Sequence, residues 1–201
     1  MPPALQHMMQ ALVEREGAGL ECLSRPESKA QVAQMVAEAD RHQGGDPPYR
    51  RELAEWMRTG WSRRKDGLHA RALGVGPITS LVMPTYIGRA NWGEAQAQRE
   101  QALVEQAPML AALTTARDGI GFWLSAGQAL AAMLLRAAED GVQAAYLNPV
   151  VQVPELRQRL REHLGVSGQP QILLRLGYVS GTSRPAPRRP VDAVMADPEK
   201  A

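Results

Sequence analysis

The chain has one cysteine, one phenylalanine, four tyrosines and four tryptophans among its 201 residues. With Cys22 alone, no disulfide forms within the chain, and its setting (Gly19-Leu20-Glu21-Cys22-Leu23) reads as a short strand bearing an inert, half-buried thiol. The histidines His7, His42, His69 and His163 never approach metal-ligand spacing, and neither HExxH nor CxxC occurs, so no metal centre is expected. No GxSxG elbow, Walker loop or dinucleotide-binding GxGxxG is present; Gly74-Val75-Gly76 runs into Pro77 and opens no helix. Hydrolase, P-loop and Rossmann chemistry therefore lack their residues. Charge of one sign is also missing: 23 Lys and Arg face 21 Asp and Glu, a net +2. Wholesale attraction to nucleic acid or to a membrane is not expected from that balance. Met1-Pro2-Pro3 offers neither a basic n-region nor an apolar h-region, which points to a cytoplasmic protein. The one long apolar run, Phe122–Ala138, is broken by Ser125, Gln128 and Arg136. It is shorter than the roughly 20 residues a bilayer demands, so it reads as a buried helix.

What is present is an alternation of helices and short apolar strands. Leu5, Met8, Met9, Leu12 and Val13 follow helical spacing up to Gly17, and Leu20–Leu23 reads as a strand. Ser24 and Glu27 have capping-box spacing ahead of the stripe Val32, Met35, Val36, Ala39. Asp46-Pro47 opens a further helix, with Leu53, Trp56 and Met57 expected on its buried side. From Gly60 to Trp92, Gly, Pro and Arg are frequent and no regular period survives. Helix returns at Glu94–Gln106, polar enough to lie on a surface. Met109–Thr114 reads as a buried strand, Asp118 as a cap for the long helix, and Gly141 as its stop. Gly127, in mid-helix, is expected to pack closely on another backbone. Val142–Leu147 is the next strand. Val153, Leu156, Leu160 and Leu164 then form an apolar stripe, with Arg157, Arg159 and Arg161 facing water. The alternation of Ile172, Leu174 and Leu176 marks a last strand. The pattern predicts a single domain, an α+β or α/β sandwich built on a mixed sheet, in three parts: residues 1–59, an irregular loop at 60–93, and a core with a basic tail at 94–201.

Chemistry is sparse. Arg184, Arg188 and Arg189 lie in a tail, Val179–Val191, free of acids and stiffened by Pro185, Pro187 and Pro190. Guanidinium forks on such a strand suit a phosphate, and a solvated basic tail has the same composition. Trp61-Ser62-Arg63-Arg64-Lys65 combines an aromatic with three cations, but Asp66 follows and no extended basic stripe accompanies it, so a solvated loop is the better reading. Asn148-Pro149 is a turn signal before the helix at Pro154.

The succession from Pro108 to Val194, with its phrases "LSAGQALAAMLLRAAEDGVQAAYLNP", "VPELRQRLREHLGVSGQPQILLRLGY" and "RPAPRRPVDAV", resembles the C-terminal part of nitroreductase-like flavoproteins, nearest to the bacterial branch with both halves in one chain. Leu5–Gly67 resembles the family more loosely, and by that resemblance the irregular loop at 60–93, with its Asp66-Gly67 turn, is placed to act as a lid over the flavin pocket. The resemblance implies a nitroreductase-like α+β sandwich, with a mixed sheet flanked by helices and a central buried helix. It implies FMN as cofactor, NAD(P)H as reductant and a small acceptor such as a nitro compound or quinone, with a homodimer or pseudo-dimer as the assembly. Arg188 takes the place of the arginine that grips the FMN phosphate, with Arg189 as the reserve. Tyr146, Leu147 and Asn148 take the place of the loop facing the flavin N5 and O4 edge, and no side chain is implied as catalyst. Two departures stand out. Pro149 has no N–H to offer, and the family's arginine motif upstream of the first helix is missing, which implies either an incomplete flavin site or a shortened or truncated member of the family. These departures keep two other readings open: a non-catalytic flavin-binding or sequestering protein, and a structural half-domain that pairs with another chain.

Overall fold

The computed structural model describes residues 1–64, 66–70, 75–179, 181, 189–191 and 195. The chain divides into two compact units: Met1–Gly45 with Trp92–Ser180, and Asp46–Asn91 with Gly181–Ala201.

The first unit is a four-stranded sheet with helices on both faces. Its strands are β1 (Gly19–Leu23), β4 (Met109–Thr115), β5 (Val142–Tyr146) and β6 (Gln169–Tyr178), in the order β1-β4-β6-β5. All seven residues of β4 are buried. Their side chains alternate between two cores, as the strand's period of two requires. Met109, Ala111 and Leu113 meet helices α1 (Pro3–Arg15) and α6 (Ile120–Glu139) on one face. Leu110 and Ala112 meet α2 (Pro26–Gly45), α5 (Gly93–Gln106), α7 (Pro149–Gln152) and α8 (Pro154–Leu164) on the other. The α+β sandwich expected from the sequence is thus present. The sheet, however, is not mixed: every pairing in it is antiparallel. A helix between β4 and β5 suggests a parallel neighbour pair, but β6 inserts between the two strands and runs against both.

Helix α6 departs further from expectation. It is 20 residues long, so by length and composition it is able to cross a bilayer. It nevertheless packs the stripe Ala126, Ala129, Met133 and Ala137 onto the sheet and α1. Within the chain it is not centrally buried. Ile120, Trp123, Leu124 and Leu135 are exposed, at 74, 55, 64 and 74%. A Cβ added at Gly127 would meet nothing within 4 Å, so that glycine makes no close approach within the chain. Gly141 does end the run, at φ 74°, a conformation other residues rarely adopt.

Helices α2 and α5 form an antiparallel pair. At one end Lys29 Nζ donates to the carbonyls of Glu105 and Ala107, at 3.0 and 2.7 Å. At the other, a Cβ on Gly44 would fall 2.3 Å from Gly93 Cα, so only glycine fits. Residues 46–91 are inserted at this end. α5 is therefore not merely a surface helix: Gly93, Ala97 and Val104 are buried.

The second unit holds α3 (Pro47–Trp56), α4 (Thr79–Arg89) and two short parallel strands, β2 (Met57–Arg58) and β3 (Leu68–His69). Asp46 caps α3 by accepting from the Tyr49 N–H at 3.3 Å. Arg50 is the buried residue of α3, Met57 is buried in β2, and Trp56 is half exposed, contrary to the apolar side expected there. Arg58 is buried beneath the Trp56 ring, its charge matched by Asp66 at 3.2 Å and by the Glu55 and Met57 carbonyls. Helix α4 lies within the stretch where no period is legible, because Pro84 sits inside it.

Candidate functional site

Tyr146, Leu147 and Asn148 lie together at the corner where β5 gives way to α7. Leu147 is buried, and its N–H donates to the Leu173 carbonyl at 2.8 Å. One residue on, the ladder would need a carbonyl acceptor for the Leu173 N–H. The Asn148 side chain supplies it: Oδ1 accepts from that N–H at 3.1 Å. Asn148 thus extends the sheet by its side chain just before Pro149, where α7 begins. Its side-chain oxygen is engaged in the fold. Tyr146 is 55% exposed and turns its ring outward from the same corner.

A second constellation escapes the sequence reading. Asp118 makes no cap hydrogen bond to α6, whose N-cap is Gly119. Instead Arg157 grips it with both terminal nitrogens, Nη1 to Oδ2 at 2.9 Å and Nη2 to Oδ1 at 2.8 Å. The Gln171 amide and the Trp123 indole N–H also donate to Oδ1, at 2.9 and 3.3 Å. These donors, Arg157 foremost, hold the Asp118 carboxyl down at about 2. Arg157 Nε donates to the Pro170 carbonyl at 2.7 Å, so this arginine does not simply face water. Gln171 reaches the cluster because β6 bulges there: Leu113 pairs with Ile172 and Thr114 with Pro170, leaving Gln171 without a partner in the register. A bulge re-aims a side chain in just this way, and Gln171 bridges the Thr115 hydroxyl and Asp118. The arrangement ties the loop entering α6 to α8 and β6. A groove of about 470 Å3 opens at the same end of the sheet, lined by Gly17, Gly19, Glu21, Thr114, Thr115 and Gly168 among others.

Burial, with help from Glu21, pushes the Cys22 thiol up to about 11, which suits the inert role read from its setting. Of the tail arginines, Arg189 is exposed. Arg184 and Arg188 lie outside the described residues. In the basic cluster, Trp61 is exposed and Arg64 pairs with Asp66 at 3.0 Å; Lys65 lies outside the described residues.

No curated protein matches the chain. Among solved structures it is similar to the FMN-dependent nitroreductase NfnB of Mycobacterium smegmatis, in complex with NADPH, at 13% identity and a TM-score of 0.58, covering 98% of this chain and 89% of that one. A nitroreductase of Bacteroides fragilis with bound FMN gives 12% and 0.53, over 98 and 88%. A BluB-like flavoprotein of Clostridium difficile gives 11% and 0.54, over 98 and 90%. At these identities the likeness is one of fold. The sequence itself matches the Nitroreductase family over residues 12–178. That match runs from α1 to the last residue of β6 and so takes in every strand of the sheet; the chain belongs to the Nitroreductase family.

Proposed function

We propose that the protein is an FMN-dependent oxidoreductase of the NAD(P)H:nitro compound or quinone reductase type, acting on a small acceptor in the cytoplasm. The observation that carries this reading is the family match over residues 12–178, and the fold shared with FMN-dependent nitroreductases supports it. When bound, FMN supplies the hydride-accepting centre, and the protein supplies binding and orientation. Arg188, with Arg189 as the reserve, holds the phosphate; a guanidinium fork matches it with paired, charge-assisted hydrogen bonds. The Tyr146–Asn148 corner faces the N5 and O4 edge of the ring. There the Asn148 backbone N–H is the donor on offer, since Pro149 has none and Asn148 Oδ1 is already bound to Leu173. No side chain is assigned as catalyst. Segment 60–93 acts as the lid.

A homodimer belongs to the same proposal. The second apolar stripe of α6, through Trp123, Leu124 and Leu135, is uncovered in the single chain, and Gly127 leaves room along it for a second helix.

One observation favours a second reading: with a single backbone donor at the corner, the ring edge is held less firmly than a hydride acceptor requires, as in a flavin-sequestering protein. Titration with FMN and riboflavin, followed by NAD(P)H oxidation, separates the possibilities. The phosphate contact is worth about 1.5–3 kcal/mol, or roughly ten- to a hundredfold in affinity. Arg188→Ala should lose that factor for FMN and leave riboflavin unchanged, with Arg189→Ala deciding between the neighbours. FMN binding no tighter than riboflavin to the unaltered protein overturns the reading. Tight FMN binding without NAD(P)H oxidation leaves the sequestering protein.

A further inference from the structure

We propose that Asp40 is a proton-operated catch on the α2–α5 neck, closed while its buried carboxyl holds a proton and loosened when that carboxyl is ionised. Asp40 is 5% exposed, and its Oδ2 is buried with no hydrogen-bond partner. It lies in a seam built from small residues, between Ala37 and Gly44 on α2 and facing Gly93 and Ala97 on α5. The backbones touch here: a Cβ on Gly93 would fall 2.9 Å from the Asp40 carbonyl oxygen.

The helices packed on α2 are α5, α7 and α8. From α5, Glu100 adds a like charge to Asp40. Glu94, at the rim, is taken up by Arg41 at 2.6 Å. α7 carries no titratable group, and its Gln152 accepts from Gln43. From α8, Arg159 pairs with Glu38 and His163 bonds Ser28, both away from Asp40. Arg175 of β6 and the Gln96 amide serve Glu100, at 3.9 and 3.2 Å. Glu100 therefore has partners for its charge, whereas Oδ2 of Asp40 is buried without one, so Asp40 takes the proton. Burial first and Glu100 second push its pKa up to about 6. An ionised carboxylate whose Oδ2 is buried without a partner gains solvation there only when the helices part. The catch therefore governs how firmly this end of the α2–α5 pair stays closed.

Hydrogen exchange on the full chain tests this, and its outcome does not depend on flavin. Amides of residues 40–44 and 96–98 should open locally, with weak denaturant dependence compared with those of residues 110–113 in β4. Their protection factors should fall between pH 5 and pH 7.5 by tenfold or more, with a ceiling of roughly a hundredfold set by the displaced titration. Asp40→Asn should abolish the fall, and Glu100→Gln should move it to lower pH. Protection that does not change with pH, a fall retained in Asp40→Asn, or neck amides that open only with β4 would each overturn the catch.

Discussion

Helix α2 buries nine of its 20 residues, a carboxyl among them, whereas α6, equally long and far more apolar, buries four. The two lie on opposite faces of the same sheet. The difference is in what covers them. α2 has α5, α7 and α8 against it, so even its polar positions lose water; α6 has the sheet on one side and α1 beside it. Apolar sequence reports what a helix is made to bury, and structure reports what it buries within one chain. For α6 the excess of the first over the second is the argument for a second copy. For α2 the sign is reversed, and the polar Asp40 is enclosed with its Oδ2 lacking a partner.

The sharpest way to break this comparison is to make the outer stripe of α6 polar. Leu124→Glu combined with Leu135→Glu should convert a dimer to a monomer with its fold intact, since both side chains are more than 60% exposed within the chain. Burial of each leucine is worth about 1.5–3 kcal/mol, so the pair should weaken association by roughly a hundredfold or more, at about 1.4 kcal/mol per decade. Sedimentation at micromolar concentration reads the result. An unaltered protein that is already monomeric would show that the stripe is covered by something other than a second copy.

Glycines sharpen the contrast at the next level. Gly44→Ala pushes a Cβ into the Gly93 backbone, with no flexible side chain to give way, and should cost about 3 kcal/mol in denaturation experiments. Gly127→Ala meets nothing within the chain. In the monomeric background it should stabilise by about 0.5–1 kcal/mol, the ordinary helix gain over glycine. Equal and opposite results would mean that the neck is looser and α6 more enclosed than the structure has them.

Much of this frame is legible in the sequence, because α1, α2, β4, α8 and β6 each carry a local period. What escapes is set by partners distant in the chain. β6 inserts between β4 and β5, and nothing in the order of elements announces it. Asp118, Arg157 and Gln171 meet across 39 and 53 residues, and only a bulge brings the last of them in. Asp40 reads as one more polar helix position until α5 covers it. α4 is concealed by its own Pro84. At the site, the Tyr146–Asn148 corner is legible as a strand end, whereas the bond from Leu173 to Asn148 is not, since it spans 25 residues.

The last contrast comes from acids, and it separates α2 from α6 by pH, with the smallest effect of all on α6. The folded-state pKa of Asp40 is raised, so its stability term is fully favourable below the ordinary carboxylate value and is lost as pH rises through the folded one. The rise from 3.8 to about 6 is worth roughly 3 kcal/mol at 1.36 kcal/mol per pKa unit, an upper figure once the helices relax. Asp40→Asn should therefore stabilise the protein by about 2–3 kcal/mol more at pH 7.5 than at pH 4, measured by chemical denaturation at the two values. On α6 the acids Glu139 and Asp140 pair with Arg136 at 2.6 and 2.9 Å, on a face open to water. Glu139→Gln should change stability by no more than about 0.5 kcal/mol at either pH. A pH response from Glu139 as large as that from Asp40 would mean that α6 is the enclosed helix, and the contrast between the two faces of the sheet would fail at its root.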